Sequence, residues 1–176
     1  MGTKFSTRIW VSVVGIASIF FGSKGYADTV ISVADFGLKP DTRENAVAYV
    51  QKAIEACRGK EPVTLVFPEG RYDFWPQYAH EKNYYETNTY DVFPKRLAML
   101  FEGFHNITVD GNGSQFVMHD RIQPITVENC DGVTLKNFSI DWDIPLTAQA
   151  RVIKVGSDFF EIEINVLESP YIIEDG

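Results

Sequence analysis

The chain has 176 residues, which suits one domain of ordinary size and is too short for several. Hydrophobic residues make up 45% of it and charged residues 23%, a balance that excludes an intrinsically disordered chain. The formal net charge of −8 at pH 7 argues against nucleic acid, anionic membranes and polyuronates as partners, because a negative surface repels polyanions. It is compatible with a neutral sugar.

The first 27 residues have the pattern of a secretory signal peptide. Lys4 and Arg8 precede the apolar run of residues 9–21, and a small residue at position 27 suits cleavage directly after Ala27. The run is shorter than the ~20 residues of a membrane-spanning helix, and no cysteine directly follows it to carry a lipid. We therefore expect export to a periplasm or beyond, without a membrane anchor. Cleavage removes three cationic residues and no acidic one, which changes the net charge from −8 to −11.

A short strand and an amphipathic helix open the mature sequence. Residues 30–33 are β-prone, and the helix is predicted to begin with Asp41 as its N-cap, Glu44 completing a capping box, and to end at Gly59. The apolar residues at helical spacing are Ala46, Val50, Ala53, Ile54 and Cys57. A single amphipathic helix among strands usually covers another element, and here it is expected to shield the open end of a β-solenoid.

Short β-prone runs separated by Asn, Asp and Gly fill most of the remaining sequence. They lie at residues 63–67, 107–109, 115–118, 125–127, 133–135, 138–140 and 160–164. Residues 106–111 (NITVDG) and 132–137 (GVTLKN) are related by a shift of 26, close to one turn of a parallel β-helix. Asn106, Asn129 and Asn137 favour this fold over the alternative, a β-sandwich, because stacked turns can form hydrogen-bonded ladders.

Two further features leave alternatives open. Between Tyr72 and Leu100 the sequence is rich in Tyr, Asn and His and has little periodicity. This stretch is either a surface insertion that carries function or a packed loop over the first coils. Cys57 and Cys130 are the only cysteines, and two separate buried thiols are predicted rather than a disulfide.

Several segments carry a resemblance to known families. Residues 33–37 (VADFG), the helix that ends at Cys57 and residues 64–72 (TLVFPEGRY) look like the start of the pectate-lyase-like β-helix proteins. A larger set resembles the exo-acting α-1,3-galactosidases of glycoside hydrolase family 110. These segments are residues 71–77 (RYDFWPQ), 88–91 (NTYD), 94–98 (PKRLA), 110–114 (DGNGS) and 136–149 (KNFSIDWDIPLTAQ).

The resemblance implies an all-β fold, a right-handed single-stranded parallel β-helix with an N-terminal amphipathic capping helix. It also implies hydrolysis of terminal α-1,3-linked galactose, in blood-group B type and linear Galα1-3Gal glycans, with inversion and without a metal or other cofactor. Members of that family are several times longer than this chain. Residues 28–176 are accordingly expected to be the N-terminal portion of a truncated β-helix domain. The catalytic acid and base are expected beyond Gly176, and this portion alone is expected to be inactive and to fold poorly.

Inverting hydrolysis of a glycoside needs two carboxyl groups, one protonated as acid and one ionised as base. Asp141 and Asp143 are weak candidates, because positions i and i+2 of an extended chain point to the same face. The alternative for both is ordinary turn chemistry after a strand. The weak candidates for sugar contacts are Trp142, Trp75 and His80. Trp142, which lies between the two aspartates, could equally cap a core stack.

Other polar residues favour structural roles. Residues 110–113 (DGNG) lack the spacing of a calcium or phosphate loop and predict a tight turn. His80, His105 and His119 are not spaced as metal ligands, so no metal is expected. Lys95 and Arg96 are expected to be solvated charges on a surface loop. Two other functions stay open, a non-catalytic carbohydrate-binding or structural β-helix and a polyuronate-active enzyme, and the oligomeric state is not predicted.

Overall fold

The computed structural model of the chain describes residues 29–83, 94–171 and 173, which form ten strands, one α-helix and one short 3₁₀ helix. The predicted signal peptide and residues 84–93 of the aromatic stretch lie outside the described residues. In chain order the elements are β1 (Thr29–Ser32), the 3₁₀ helix (Val33–Phe36), α1 (Val47–Cys57), β2 (Val63–Val66), β3 (Arg71–Phe74), β4 (His80–Lys82), β5 (Lys95–Glu102), β6 (His105–Met118), β7 (Gln123–Glu128), β8 (Asp131–Trp142), β9 (Ala150–Val155) and β10 (Phe160–Ile164).

Most strands belong to three parallel ladders. The first ladder contains β1, β2 and the first halves of β6 and β8. The second contains β3 and the second halves of β6 and β8, and the third contains β5 and β7. Ile107 pairs with Val133, 26 positions further along, the same shift that relates the two similar segments of the sequence. The parallel pairing argues against the alternative β-sandwich, whose sheets are antiparallel.

The core consists of alternate side chains of these strands. They stack between successive passes of the chain, where a pass is one run of the chain through the ladders. Ile107 and Val109 lie in register with the buried Val63 and Leu65 in the first ladder. In the second ladder the ring of Phe116 lies 5.6 Å from that of Phe74 and 4.8 Å from that of Phe138. Each such aromatic pair adds about 0.5–1.5 kcal/mol to the gain from burial. The stacking thus explains why β-prone runs recur at this period.

The turns between ladders use residues with a left-handed backbone, and this accounts for the asparagines. Gly103 and Asn129 occupy equivalent turn positions with φ of 70° and 51°, and Asn106 and Gly132 do so with 54° and 70°. Asparagine adopts this conformation more readily than other residues with a side chain. The backbone conformation is thus one reason for asparagine at these turns. A side-chain hydrogen bond between neighbouring turns is also present, since Nδ2 of Asn137 donates to Asp110.

The helix differs from its prediction at the N-terminus. It begins at Val47 rather than after Asp41, because Asp41 has a φ of 61° and its carboxylate instead accepts a hydrogen bond from the backbone N of Arg71. The backbone N of Val47 donates to the side chain of Asn45. At the other end Gly59, with a φ of 73°, stops the helix as predicted.

The apolar face of α1 confirms the predicted pattern. Ala46, Val50, Ala53, Ile54 and Cys57 are all buried. They pack with β1, β2 and β5 in the same core as the first pass of the chain. The helix therefore covers this pass, as expected of a cap.

The last described part of the chain is more exposed. In β8, Leu135 and Ile140 are 41% and 37% exposed, although their equivalents one pass earlier, Val109 and Phe116, are buried. β9 and β10 form a separate antiparallel pair. Among the described residues, no helix has the length and apolar character needed to cross a membrane.

Candidate functional site

Polar side chains meet where the strands of the second ladder end side by side. The residues directly after β3, β6 and β8 are Trp75, His119 and Asp143. The backbone N of His119 donates to the carbonyl oxygen of Phe74 at 2.9 Å, and that of Asp143 donates to Met118 at 3.0 Å. Parallel strands end at a common edge, so residues 44 and 24 positions apart become neighbours. We call the group formed by five residues here the corner: Arg71, Asp73, Trp75, His119 and Asp143.

Asp73 is the buried centre of the corner. It lies on β3 between two core residues, and its side chain is completely covered. Its Oδ1 lies 2.6 Å from Nη2 of Arg71, 2.8 Å from Nε2 of His119 and 4.0 Å from Nη1 of Arg43. The chain before α1 closes over it, where the backbone N of Ala46 donates to the carbonyl oxygen of Asp73 at 2.8 Å. Buried carboxylates need such partners, because an unpaired buried charge is strongly unfavourable.

The partners keep Asp73 ionised. Burial by itself raises the pKa of this carboxyl, but the hydrogen bonds from Arg71 and His119 outweigh burial, and the pKa lies below its usual value. The hydrogen bond with Asp73 likewise raises the pKa of Arg71. An ionised carboxylate only accepts hydrogen bonds, so Nε2 of His119 is the donor in this contact. The tautomer and orientation of the imidazole are thereby fixed.

Asp143 joins the corner from the next pass of the chain. Its Oδ1 accepts a hydrogen bond from Nη2 of Arg71 at 3.0 Å, and its Oδ2 lies 3.7 Å from Nδ1 of His119. The side chain of Asp143 is 42% exposed, whereas that of His119 is 15% exposed. Asp143 is thus the part of the corner that a ligand in solution can contact most directly.

Trp75 forms one wall of the corner. Its ring stacks on the imidazole of His119 with the centroids 3.9 Å apart and the planes 6° from parallel. Its backbone N donates to Oδ1 of Asn45, the residue that also accepts from the first turn of α1. The stack covers one face of the imidazole.

A cleft of about 540 Å³ is lined in part by Trp142, the residue before Asp143. Nε1 of Trp142 donates to the carbonyl oxygen of Asp120 at 3.2 Å, so the indole is fixed by a hydrogen bond as well as by the core. The lining also includes Arg121, Pro124 and Leu146. Mixed apolar and polar walls of this size are typical of small-ligand sites.

The structure separates the residues predicted from sequence into those at the corner and those elsewhere. Asp143 and Trp75 belong to it, and Trp142 lines the cleft of about 540 Å³. Asp141 is exposed, and its Oδ1 accepts a hydrogen bond from the backbone N of Trp142. His80 lies on β4 in a different cleft, of about 260 Å³, between α1 and β5.

Three expectations about other polar and thiol groups have definite outcomes. Residues 110–113 form the predicted tight turn, and the carboxylate of Asp110 accepts from the backbone N of Asn112. Lys95 does not lie on a surface loop as expected, since it starts β5 and is buried, whereas Arg96 is exposed and pairs with Glu81. Cys57 and Cys130 are free thiols, the first buried and the second half-buried.

Sequence reasoning missed the centre of the corner. In the sequence, Asp73 and Arg71 stand out only within the family-like segments, and His119 only as one of three histidines that are not spaced as metal ligands. The available signal was a charged residue between Tyr72 and Phe74, at a strand position with core residues on both sides. Among the residues that the structure describes, no three His, Cys, Asp or Glu side chains are grouped to hold a metal ion.

Comparisons with known proteins give relatives of one kind. No family model matches the chain. The chain is 60% identical over 149 residues to α-1,3-galactosidase B of Bacteroides thetaiotaomicron, covering 85% of this chain and 24% of that protein. It is 37% identical over 147 residues to α-1,3-galactosidase A of Shewanella woodyi, covering 83% of this chain and 24% of that protein. It is 35% identical over 159 residues to α-1,3-galactosidase B of Phocaeicola vulgatus, covering 88% of this chain and 25% of that protein.

The chain thus spans about a quarter of the length of the curated relatives it matches. Over the length that it shares with them, the chain belongs to the family of the bacterial α-1,3-galactosidases A and B.

Proposed function

We propose that the protein to which these residues belong hydrolyses terminal α-1,3-linked galactose in blood-group B type and linear Galα1-3Gal glycans, with inversion at the anomeric carbon. The observation that carries this proposal is the 60% identity over 149 residues to a protein named α-1,3-galactosidase B. The acidic composition supports a neutral glycan as substrate over a polyuronate, because carboxylated sugars would be repelled. No cofactor is part of the proposal.

The electrostatics of the corner support a binding role there and a catalytic acid elsewhere. A general acid must hold its proton near neutral pH, which requires a raised pKa. The pKa of Asp73 is instead lowered, and Asp143 is paired with the guanidinium of Arg71. Carboxylates held in ion pairs of this kind accept hydrogen bonds and are poor proton donors. We therefore place the proton donor outside the corner.

We further propose that the three ladders are the sides of a right-handed parallel β-helix with α1 as its cap. Parallel strands joined in this way are right-handed in almost all proteins, which supports the handedness. Export with cleavage near Ala27 is part of the same proposal, and it is supported by the apolar run of residues 9–21. Mass determination of the secreted protein would test it, because retention of residues 1–27 contradicts it.

The decisive experiment is an assay of galactose release from Galα1-3Gal. It is run on this chain and on the product of the complete reading frame, with Galα1-4Gal as the matched control substrate. We expect release from the α-1,3-linked disaccharide by the full product and none by this chain alone. Proton NMR during the first turnovers distinguishes β-galactose, which inversion gives, from α-galactose. A full product inert on both substrates would refute the proposal.

A second candidate, a non-catalytic carbohydrate-binding β-helix, is supported by the same corner. The corner offers a carboxylate with a lowered pKa in Asp73, a second carboxylate paired with Arg71, and the aromatic ring of Trp75. Sugar binding without turnover by the full product would favour this candidate over the hydrolase.

A further inference from the structure

The antiparallel pair β9–β10 lies apart from the three parallel ladders. The two strands pair with each other, and among the described strands neither joins a ladder. A two-stranded hairpin is only marginally stable in water by itself and normally needs a third strand or a packed face. The pair is therefore expected to be completed by another element of structure.

One face of this hairpin is charged. Residues that pair across two antiparallel strands lie on the same face of the sheet. Arg151 forms an ion pair with Glu163, and Nζ of Lys154 lies 3.3 Å from Oε1 of Glu161. All four side chains are more than half exposed, as expected of a face that is directed at solvent.

The opposite face is apolar and uncovered. Val152 pairs with Ile162, and Val155 pairs with Phe160. The register shift skips Ile153, so Val152 and Val155 come to lie on one face although they are three positions apart. The exposed fractions are 55% for Val152, 43% for Ile162, 75% for Val155 and 66% for Phe160. A contiguous apolar face of this kind marks a surface that packs against another element.

We propose that the apolar face of β9–β10 packs against an apolar sheet face formed by strands of the same polypeptide beyond Gly176. The chain covers only 24% to 25% of the curated relatives named above, so proteins of this family contain ample further polypeptide. Valine, isoleucine and phenylalanine on one face of a strand pair are the side chains with which two sheets pack face to face. The hairpin then begins a second layer outside the ladders, with its charged face in water.

The charge of the chain disfavours two other occupants of this face. The formal net charge is −8, and it is −11 once the predicted signal peptide is removed. A second copy of the chain would meet a surface of like charge, and so would an anionic lipid surface. A segment of the same polypeptide, by contrast, is held close to the hairpin at a high effective concentration.

The test is the rate at which a thiol reagent labels a cysteine placed on either face, measured in this chain and in the product of the complete reading frame. Ile162→Cys probes the apolar face, and the matched control, Glu161→Cys, probes the charged face one residue away. Peptide mass mapping separates these thiols from Cys57 and Cys130. We expect Ile162→Cys to react at least about 10-fold more slowly in the complete product than in this chain, and Glu161→Cys to react equally in both.

Equal labelling rates of Ile162→Cys in the two proteins would overturn the proposal. Slow labelling of this variant in the short chain that depends on protein concentration would overturn it as well, because a second copy would then cover the face.

A measurement without substitutions covers the case in which a variant does not fold. The backbone amides of residues 150–155 and 160–164 should exchange hydrogen at least about 10-fold more slowly in the complete product than in this chain, because a packed hairpin opens less often. Equally fast exchange in both proteins would contradict the proposal. The packing of the hairpin does not rest on the proposed hydrolysis. An active product whose hairpin stays accessible would contradict only the packing, whereas a protected hairpin in a product that releases no galactose would contradict only the hydrolase.

Discussion

Replacing Asp73 with asparagine should destabilise the fold by about 3 kcal/mol. The carboxylate is fully covered and accepts hydrogen bonds from two side chains, Arg71 and His119. Hydrogen bonds to charged groups contribute about 1.5–3 kcal/mol each, and removal of one partner from a buried ion pair costs about 3–5 kcal/mol. Asparagine keeps the volume and one acceptor, and Arg71 retains contact with water and with Asp143. The expected loss therefore falls at the low end of the range.

The loss is measured as the free energy of unfolding in urea, followed by tryptophan fluorescence. Trp75 is a built-in reporter, because its ring stacks on His119 and changes environment when the corner opens. Asp131→Asn, an exposed aspartate, is the control and should change stability by less than about 0.5 kcal/mol. An Asp73→Asn variant as stable as this control would refute the idea that the corner depends on a buried charge.

The pH dependence gives a second check on the same residue. The folded-state pKa of Asp73 lies below the value of about 3.9 expected for the unfolded chain. Its stabilising contribution is therefore fully present above that unfolded value and is lost as the pH falls through the folded value. The stability difference between the parent and the Asp73→Asn variant should shrink as the pH falls below about 4. A difference that grows on acidification would contradict this assignment.

Three other experiments test the packing of the core. Phe116→Ala removes a ring that contacts aromatic residues of both neighbouring passes. It should lower the free energy of unfolding in urea by about 3–5 kcal/mol. A loss under about 1 kcal/mol would show that the passes do not stack. Gly111→Ala places a methyl group 2.5 Å from Cβ of Phe138, and a drop in melting temperature is expected. Gly59→Ala is the control, because its methyl group would enter open space and its effect reports only the strain of a positive φ. Burial raises the pKa of Cys57 to about 11. A thiol reagent at pH 8 should therefore modify Cys130 first and Cys57 only on unfolding. Rapid labelling of both cysteines would contradict the buried position of Cys57.

The sequence indicated the pairing of β6 with β8 because stacked strands of similar pattern leave a local signal. A shift of 26 between two β-prone segments is visible in the letters, and the structure pairs these segments residue by residue. The apolar face of α1 was likewise visible at helical spacing. Its start was predicted wrongly, because Asp41 and Glu44 match a capping box locally but Asp41 is held in a left-handed turn by the backbone of Arg71. That hydrogen bond joins residues 30 positions apart and has no local signature.

The corner was predicted only in part for the same reason. Asp143 was found because it follows a strand, and Trp75 because it is a large ring in an aromatic stretch. His119 gave no signal of its own, since its partners Asp73 and Asp143 lie 46 and 24 positions away. Only the register of the second ladder brings these three side chains within contact.

Register therefore decides whether the corner exists at all. Each of β3, β6 and β8 contributes one residue beyond its end, and Tyr72, Phe116 and Ile140 fix the alignment of the three strands. A slip of one residue in β8 would turn Asp143 to the opposite face, because side chains alternate along a strand. Arg71 would then lose one carboxylate and His119 the other group that faces it. The aromatic stack around Phe116 opposes this slip, so the core that gives the fold its stability also positions the polar side chains of the corner.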